Sequence, residues 1–465
     1  MKVFKIICIL MAILMLLTSC SSVYISPDVS SDDSEGEIEG EYFTKVSIYS
    51  SGGYPTSGIF YKGCWLYIET QTTIAPTGSN SKGEILYGEA PISRVVKYNP
   101  ATDTVSSPCL DPVCNHSYES GCVMLKPFDA LGERATFIIM HLVGDWMILL
   151  TQYKDDAYVS RNRQLFYNLQ TGEARYFFEE DLESEIVTRW ASCCSFGNTF
   201  YNIKQTFDLT ETSFDPSGNK SMYDYAPKTK QILCEHDLDK GEMTELFEIP
   251  ENYILIAVSN KRFFFTDDTN AFYSCNRDGS NMVKEDNFDF VPVDMVGSYA
   301  YELYDQNGFN VYDLTTNQKK SVTAEYEEYE RCFLAEDGVL FDYVGGREKY
   351  REFQAAKQQF YAEHEGMERT EITKLYQGKL KEALLSGTAK IYKCDFNGEN
   401  MRLIYEEENA AIATFYGTED YIFCLRSKLI DGNVSKKFCA INLKTGEIKD
   451  PPLLEVVVPS WYTND

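Results

Sequence analysis

Histidine is scarce in this chain: four occur in 465 residues, His116, His141, His236 and His364. No G-x-S-x-G elbow, H-E-x-x-H pair or phosphate-binding loop is present, so the usual marks of a nucleophile elbow, a helical zinc site and a P-loop are all missing. Basic residues are outnumbered, with 43 Lys and Arg against 71 Asp and Glu, and the net charge is −28. A phosphate backbone would repel such a chain, so nucleic acid is excluded as a partner, as is a broad basic face for anionic lipid. Among 71 carboxylates, neighbouring pairs arise freely. Asp267 with Asp268, and Glu179, Glu180 and Asp181, are therefore not read as glycosidase-type pairs. His141 and His236 fall inside strand patterns and read as structural. A non-enzyme is the expectation.

Aromatic residues are plentiful at 14%, with 33 Tyr and 28 Phe, and they favour strands over helices. A hydrophobic content of 44% is that of a folded protein, yet 465 residues are too many for one ordinary core unless the architecture repeats.

The N-terminus reads as an export signal. Lys2 and Lys5 precede an apolar run of 12 residues, 6–17, which is the length of a signal-peptide core and short for a bilayer span. Leu17, Thr18, Ser19 and Cys20 follow. A small residue before a cysteine, directly after such a core, resembles the lipobox of bacterial lipoproteins. The resemblance implies cleavage before Cys20 and lipidation of its thiol, hence a membrane-anchored protein facing outside the cytoplasm. Residues 1–19 are the signal peptide, and 20–41 are the lipidated Cys and a Ser-, Asp-, Glu- and Gly-rich tether that cannot bury a core.

From 42 to 465 one pattern recurs. In 390–405, Ile391 and Tyr392 lead into a turn at Asn397 and Gly398, and Leu403, Ile404 and Tyr405 lead out. Such strand–turn–strand units end their first strand on Asn99, Asn168, Asp237, Asn276, Asp313, Asp395 and Asn442. They alternate with aromatic-rich hairpins at 58–70, 137–153, 192–206, 253–267, 293–305, 332–344 and 414–426. Two hairpins per unit make a four-stranded antiparallel sheet, and seven units make an all-β, seven-bladed β-propeller. The turns Asn276, Arg277, Asp278, Gly279, Ser280, Asn281 and Asp395, Phe396, Asn397, Gly398, Glu399, Asn400 resemble those of TolB-like propellers and of related uncharacterised propeller domains in bacterial lipoproteins. That resemblance covers 46–454 and implies a ring with a binding surface and no catalytic residues.

With strands lettered A to D in each unit, the long insertions gather in the B–C and D–A connections. They are 71–89, 207–228, 347–385 and 107–133. Insertions on one face commonly mark a binding face. In 347–385, Tyr350, Phe353 and Phe360 recur at helical spacing, Gly366 interrupts, and Ile372, Leu375, Leu380 and Leu384 resume, which predicts a helical hairpin in the sixth blade packed on the propeller by its apolar stripe. Ring closure falls to 42–49 or 454–458.

Of 14 Cys, Cys8 and Cys20 belong to the leader and the lipidation site. Cys64, Cys234, Cys275, Cys332, Cys394, Cys424 and Cys439 sit in strand patterns as small hydrophobes. The exception is Cys109, Cys114, His116 and Cys122, four ligand-type residues within 14 positions. Three Cys and one His form a tetrahedral zinc set, although Cys114 and His116 are closer than usual. A disulfide between two of the three Cys would staple the same loop, and reduced thiols with no joint role are the third reading. The functional expectation is a binding or scaffolding module for a protein partner. The alternative is a carbohydrate-binding or carbohydrate-active propeller.

Overall fold

The structure is a computed structural model that describes residues 22–23, 41–48, 59–79, 82, 85–114, 116, 122–126, 136–154, 160–179, 186–208, 228–285, 294–303, 308–323, 331–335, 337–430 and 433–452. The chain is a seven-bladed β-propeller. Blade 1 comprises Ile59–Tyr61, Cys64–Ser79, Ile85–Asn99 and an interrupted outer strand, Thr104–Ser106 with Leu125–Lys126. Blade 2 is Thr136–Val143, Trp146–Lys154, Ser160–Asn168 and Ala174–Glu179, and blade 3 is Ile186–Phe196, Thr199–Asp208, Lys228–Asp237 and Glu242–Glu248. Blade 4 is Ile254–Val258, Arg262–Thr266, Phe272–Asn276 and Val283–Lys284, and blade 5 is Asp294–Gly297, Tyr299–Leu303, Gly308–Asp313 and Gln318–Thr323. Blade 6 is Arg331–Ala335, Gly338–Val344, Thr388–Cys394 and Arg402–Glu408, and blade 7 is Ala410–Gly417, Tyr421–Ile430, Asn433–Asn442 and Ile448–Lys449. Two compact units divide at the A–B turn of blade 5: Met1–Ser298 with Leu453–Asp465, and Tyr299–Pro452.

The recurring Asn or Asp at the end of strand C has a local cause. Its side-chain oxygen accepts backbone N–H groups two and three residues on, which closes the C–D turn. Asn99 accepts from Ala101 and Thr102, Asn168 from Gln170 and Thr171, and Asn442 from Lys444 and Thr445. Packing then joins neighbouring blades. In the first unit, Tyr201, Ile203 and Leu233 of blade 3 are buried together with Val258, Phe263 and Phe265 of blade 4. In the second, Leu340 and Ile391 of blade 6 are buried with Ile412, Ile422 and Ile441 of blade 7. Side chains also reach across to the next blade's turn: Trp146 donates to Asp239 at 2.8 Å, and Arg175 donates to the Leu238 carbonyl at 2.7 Å while lying over the Trp146 ring.

The N-terminal strand Phe43–Ile48 pairs antiparallel with strand A of blade 5 and lies against the A strands of blades 3 and 4. It is thus an added strand inside blade 5, neither first-blade nor last-blade closure. Glu41 fixes its start, taking 2.9 and 2.6 Å bonds from Arg262 Nε and Nη2, and the Phe43 ring packs at 5.2 Å from Phe264. The lipobox 17–20 and most of the tether 20–41 lie outside the described residues, as does 454–458.

One expected insertion takes another form, and one takes the expected form. Much of 71–89 continues strands B and C of blade 1, paired from Gln71↔Ile92 to Ser79↔Ile85, a run whose Thr72, Thr73 and Ile74 favour strand. The insertion 347–385 is helical, with its first arm broken at Ala356: α1 (Arg347–Ala355), α2 (Lys357–Glu363) and α3 (Arg369–Leu385). Ile372, Tyr376 and Leu380 form the buried stripe of α3, which lies against strands A and B of blade 7.

His236 is 1% exposed, with Nε2 2.8 Å from Asn202 Oδ1. Burial pushes its pKa down to about 3. The unfolded chain takes up this proton below about pH 6.5 and the folded chain does not, so stability is full above about 6.5 and is lost as pH falls toward 3. Between about pH 7.5 and pH 5, wild type is expected to lose about 2 kcal/mol more than His236→Gln in urea unfolding. Equal losses would assign the pH dependence elsewhere.

Candidate metal centre

The four ligand-type residues do not sit in a D–A connection. They belong to an excursion spliced into the outer strand of blade 1. That strand pairs Lys97↔Ser106, leaves the sheet, and returns to pair Arg94↔Leu125. The Val95 N–H donates to the Met124 carbonyl at 2.9 Å where the chain re-enters. The ladder therefore holds the two ends of the excursion side by side before any metal is considered. Cys109 stands just past its start and Cys122 just before its end.

A tight turn brings Cys114 back toward Cys109. Its N–H donates to the Asp111 carbonyl at 3.2 Å, and Val113 N–H donates to Asp111 Oδ1 at 3.0 Å. Pro112 occupies the second turn position, where its fixed φ suits the bend. His116 follows with φ +56°, a left-handed conformation uncommon outside glycine and asparagine, and its N–H donates to Cys114 Sγ at 3.4 Å. Its Nδ1 lies 3.7 Å from Cys122 Sγ.

The result is a compact donor set. One ligand atom from each of Cys109, Cys114, His116 and Cys122 lies within 4.8 Å of every other. Tetrahedral zinc with bonds of about 2.0–2.3 Å separates its ligand atoms by roughly 3.5–3.8 Å, so a small contraction accommodates the ion. The cysteines are free thiols. Burial pushes the Cys109 and Cys122 thiols up, while backbone N–H groups of Asp111 and Met124 pull them down. With His116 N–H on Cys114, each sulfur thus has a backbone donor two residues on, although burial raises the Cys109 and Cys122 thiols overall.

The excursion is docked on blade 2. Leu110 N–H donates to the Tyr167 hydroxyl at 2.8 Å, and that hydroxyl faces the Pro108 carbonyl at 3.4 Å. Gly172, with φ +75°, passes so close that a Cβ there would stand 3.1 Å from Leu110 Cβ. Tyr167 was not evident from sequence. It reads as one more strand aromatic, and 57 residues separate it from Leu110.

The remaining singled-out residues have structural roles. Asp267 accepts from Thr269 N–H at 2.9 Å, Ala271 N–H at 2.9 Å and Tyr273 O–H at 3.0 Å, which makes it a turn cap. Glu179 ends blade 2, and Glu180 and Asp181 lie outside the described residues. His364 bonds the Phe360 carbonyl at 2.8 Å and stacks on the Phe360 ring. His141 is a strand residue opposite Ile148. Cys275 is buried one place before the end of its strand C and Cys394 at the end of its own, each directly before the turn residue Asn276 or Asp395. Cys20 lies outside the described residues.

No family model matches the sequence, and no curated protein does. Solved structures do resemble it. Acylaminoacyl peptidase from Pyrococcus horikoshii is 11% identical over 86% of this chain and 52% of its own, with a TM-score of 0.44. The β-propeller domain of the Trilobed protease from Pyrococcus furiosus is 12% identical over 69% of this chain and 98% of its own, with a TM-score of 0.28. Oligogalacturonate lyase from Vibrio parahaemolyticus is 10% identical over 81% and 96%, with a TM-score of 0.37. The chain spans about half the length of the acylaminoacyl peptidase it matches. The propeller itself rests on the chain's own seven sheets. Several of these similar structures are peptidases, and this corrects the expectation of a protein-binding or scaffolding module. The lyase shares the fold alone and does not restore the glycan alternative.

Tyr167→Phe removes the acceptor for Leu110 N–H at a local cost of about 1 kcal/mol. Thiol labelling at Cys109, Cys114 and Cys122 in the metal-free protein should speed up roughly fivefold, with the urea midpoint almost unmoved. Unchanged labelling would mean that the excursion is not held by this bond.

Proposed function

We propose that this chain is an exported, lipid-anchored β-propeller in which Cys109, Cys114, His116 and Cys122 hold one structural zinc ion. The observation that carries the reading is the convergence of four donors within 4.8 Å. Three thiolates and an imidazole suit a borderline-soft ion, and four protein ligands leave no position for water or substrate, as in structural sites. The backbone donors at each sulfur and the docking on Tyr167 support the same reading, because they order the ligands ahead of binding. Binding displaces thiol protons, so the site loads better as pH rises. The lipobox-like 17–20 supplies the anchor in this reading, and the TolB-like turns accord with an extracytoplasmic propeller.

The soluble part, residues 21–465, prepared without oxygen and reconstituted with zinc, is expected to carry about one zinc per chain. Cys114→Ser should abolish it, and chelation of the wild type should open 107–124 to proteolysis while circular dichroism of the sheets persists. A reduced, folded protein that retains no zinc after reconstitution would overturn the proposal.

A further inference from the structure

The last blade carries a second set of thiols with a different geometry. Cys424 on strand B and Cys439 on strand C are direct cross-strand partners. Opposite residues of an antiparallel pair project to the same face, and here the sulfurs stand 3.3 Å apart. Both are buried, in a cluster with Ile412, Ile422 and Ile441. A disulfide needs about 2.05 Å between sulfurs, a distance reached by small side-chain rotations, and residues paired across a ladder have the Cα separation that it requires.

We propose that Cys424 and Cys439 form a cross-strand disulfide when the chain folds in the presence of a disulfide oxidant. One thiol loses its proton, and its thiolate attacks a sulfur of the oxidant. This forms a mixed disulfide and expels one oxidant thiolate. The second cysteine, deprotonated in turn, attacks the cysteine sulfur of the mixed disulfide and expels the other thiolate. Two cysteine thiols are oxidised, one oxidant disulfide is reduced to two thiols, and the two protons end on those thiols.

The timing follows from burial. In the finished sheet the pair is closed to solvent, and both burial and the neighbouring thiol push the Cys424 thiol up, so attack on an external disulfide is slow there. The bond therefore forms after strands B and C pair and before the neighbouring blade covers them. Once closed, it is shielded from reductants by the same burial.

The test uses residues 21–465 with zinc present, refolded from denaturant with oxidised and reduced glutathione. The product is denatured and alkylated without reductant, then mapped by mass spectrometry. The expected result is a linked peptide pair holding Cys424 and Cys439, lighter by two hydrogens. Recovery of both residues as singly alkylated peptides would overturn the proposal. A variant lacking the other thiol cluster (Cys109→Ser, Cys114→Ser and Cys122→Ser) should still show the link, which separates this outcome from the fate of the zinc site. The double variant Cys424→Ala with Cys439→Ala removes the bond without a buried polar group. Reductant during heating should lower the melting temperature of oxidised wild type and leave the double variant unmoved, whereas equal behaviour of the two would count against the bond.

Discussion

Each blade has two faces to bury, and only the neighbouring sheets to bury them against. A lone four-stranded sheet built from Phe263, Phe264 and Phe265 would leave one row of rings in water whichever way it turned. Stacking removes both faces at once, at roughly 25 cal/mol for each Å² of apolar surface withdrawn. The apolar clusters accordingly run between consecutive blades, as with Tyr201 of blade 3 and Phe263 of blade 4, whose rings meet at 5.4 Å. The same constraint explains the cross-blade polar contacts, because a turn buried at the seam must find partners for its backbone carbonyls. Arg277 of blade 4 serves one seam, with its guanidinium over the Tyr201 ring of blade 3 and the Phe263 ring of its own blade, and with a bond to the Ser259 carbonyl within blade 4.

The outer strand of a blade has no further strand to pair with, so it is the place where the ladder tolerates interruption. Blade 1 uses that freedom. Eighteen residues, 107–124, leave the outer strand between Ser106 and Leu125. Among its described residues, Val113 is 87% exposed and Leu110 47% exposed, while Cys122 and Met124 near its return are buried. Polar contacts also hold it: the Asp111 turn, the bond to Tyr167, and the cluster of sulfur and imidazole donors.

Much of the fold was legible because turns and strands announce themselves locally. Asn99, Asn168, Asn442 and their equivalents mark the C–D turn by bonds with their own neighbours, so the count of seven could be read from one dimension. The four site residues were legible for the same reason, lying within 14 positions of one another. Their setting was not. The splice into the outer strand depends on the pairing of Arg94 with Leu125, and the docking depends on Tyr167, a blade away in sequence. The long B–C hairpin of blade 1 reads from sequence as an insertion, because its Thr and Gly content lacks an apolar face. The place of Phe43–Ile48 was hidden because a strand's partner is not written in the strand.

That N-terminal strand also sets an order of events. Tyr42 and Asn260 bond although 218 residues separate them in sequence. During synthesis from the N-terminus, the strand emerges early and its partner in blade 5 emerges late. Until then its backbone donors and acceptors have only water or a wrong edge to meet, which is the situation that invites misassembly. Closing so long a loop is also slow, since the entropy is lost before the contacts form. Glu41, bonded to Arg262 in blade 4, offers a partial remedy: the strand can be tethered one blade early and wait there for its partner.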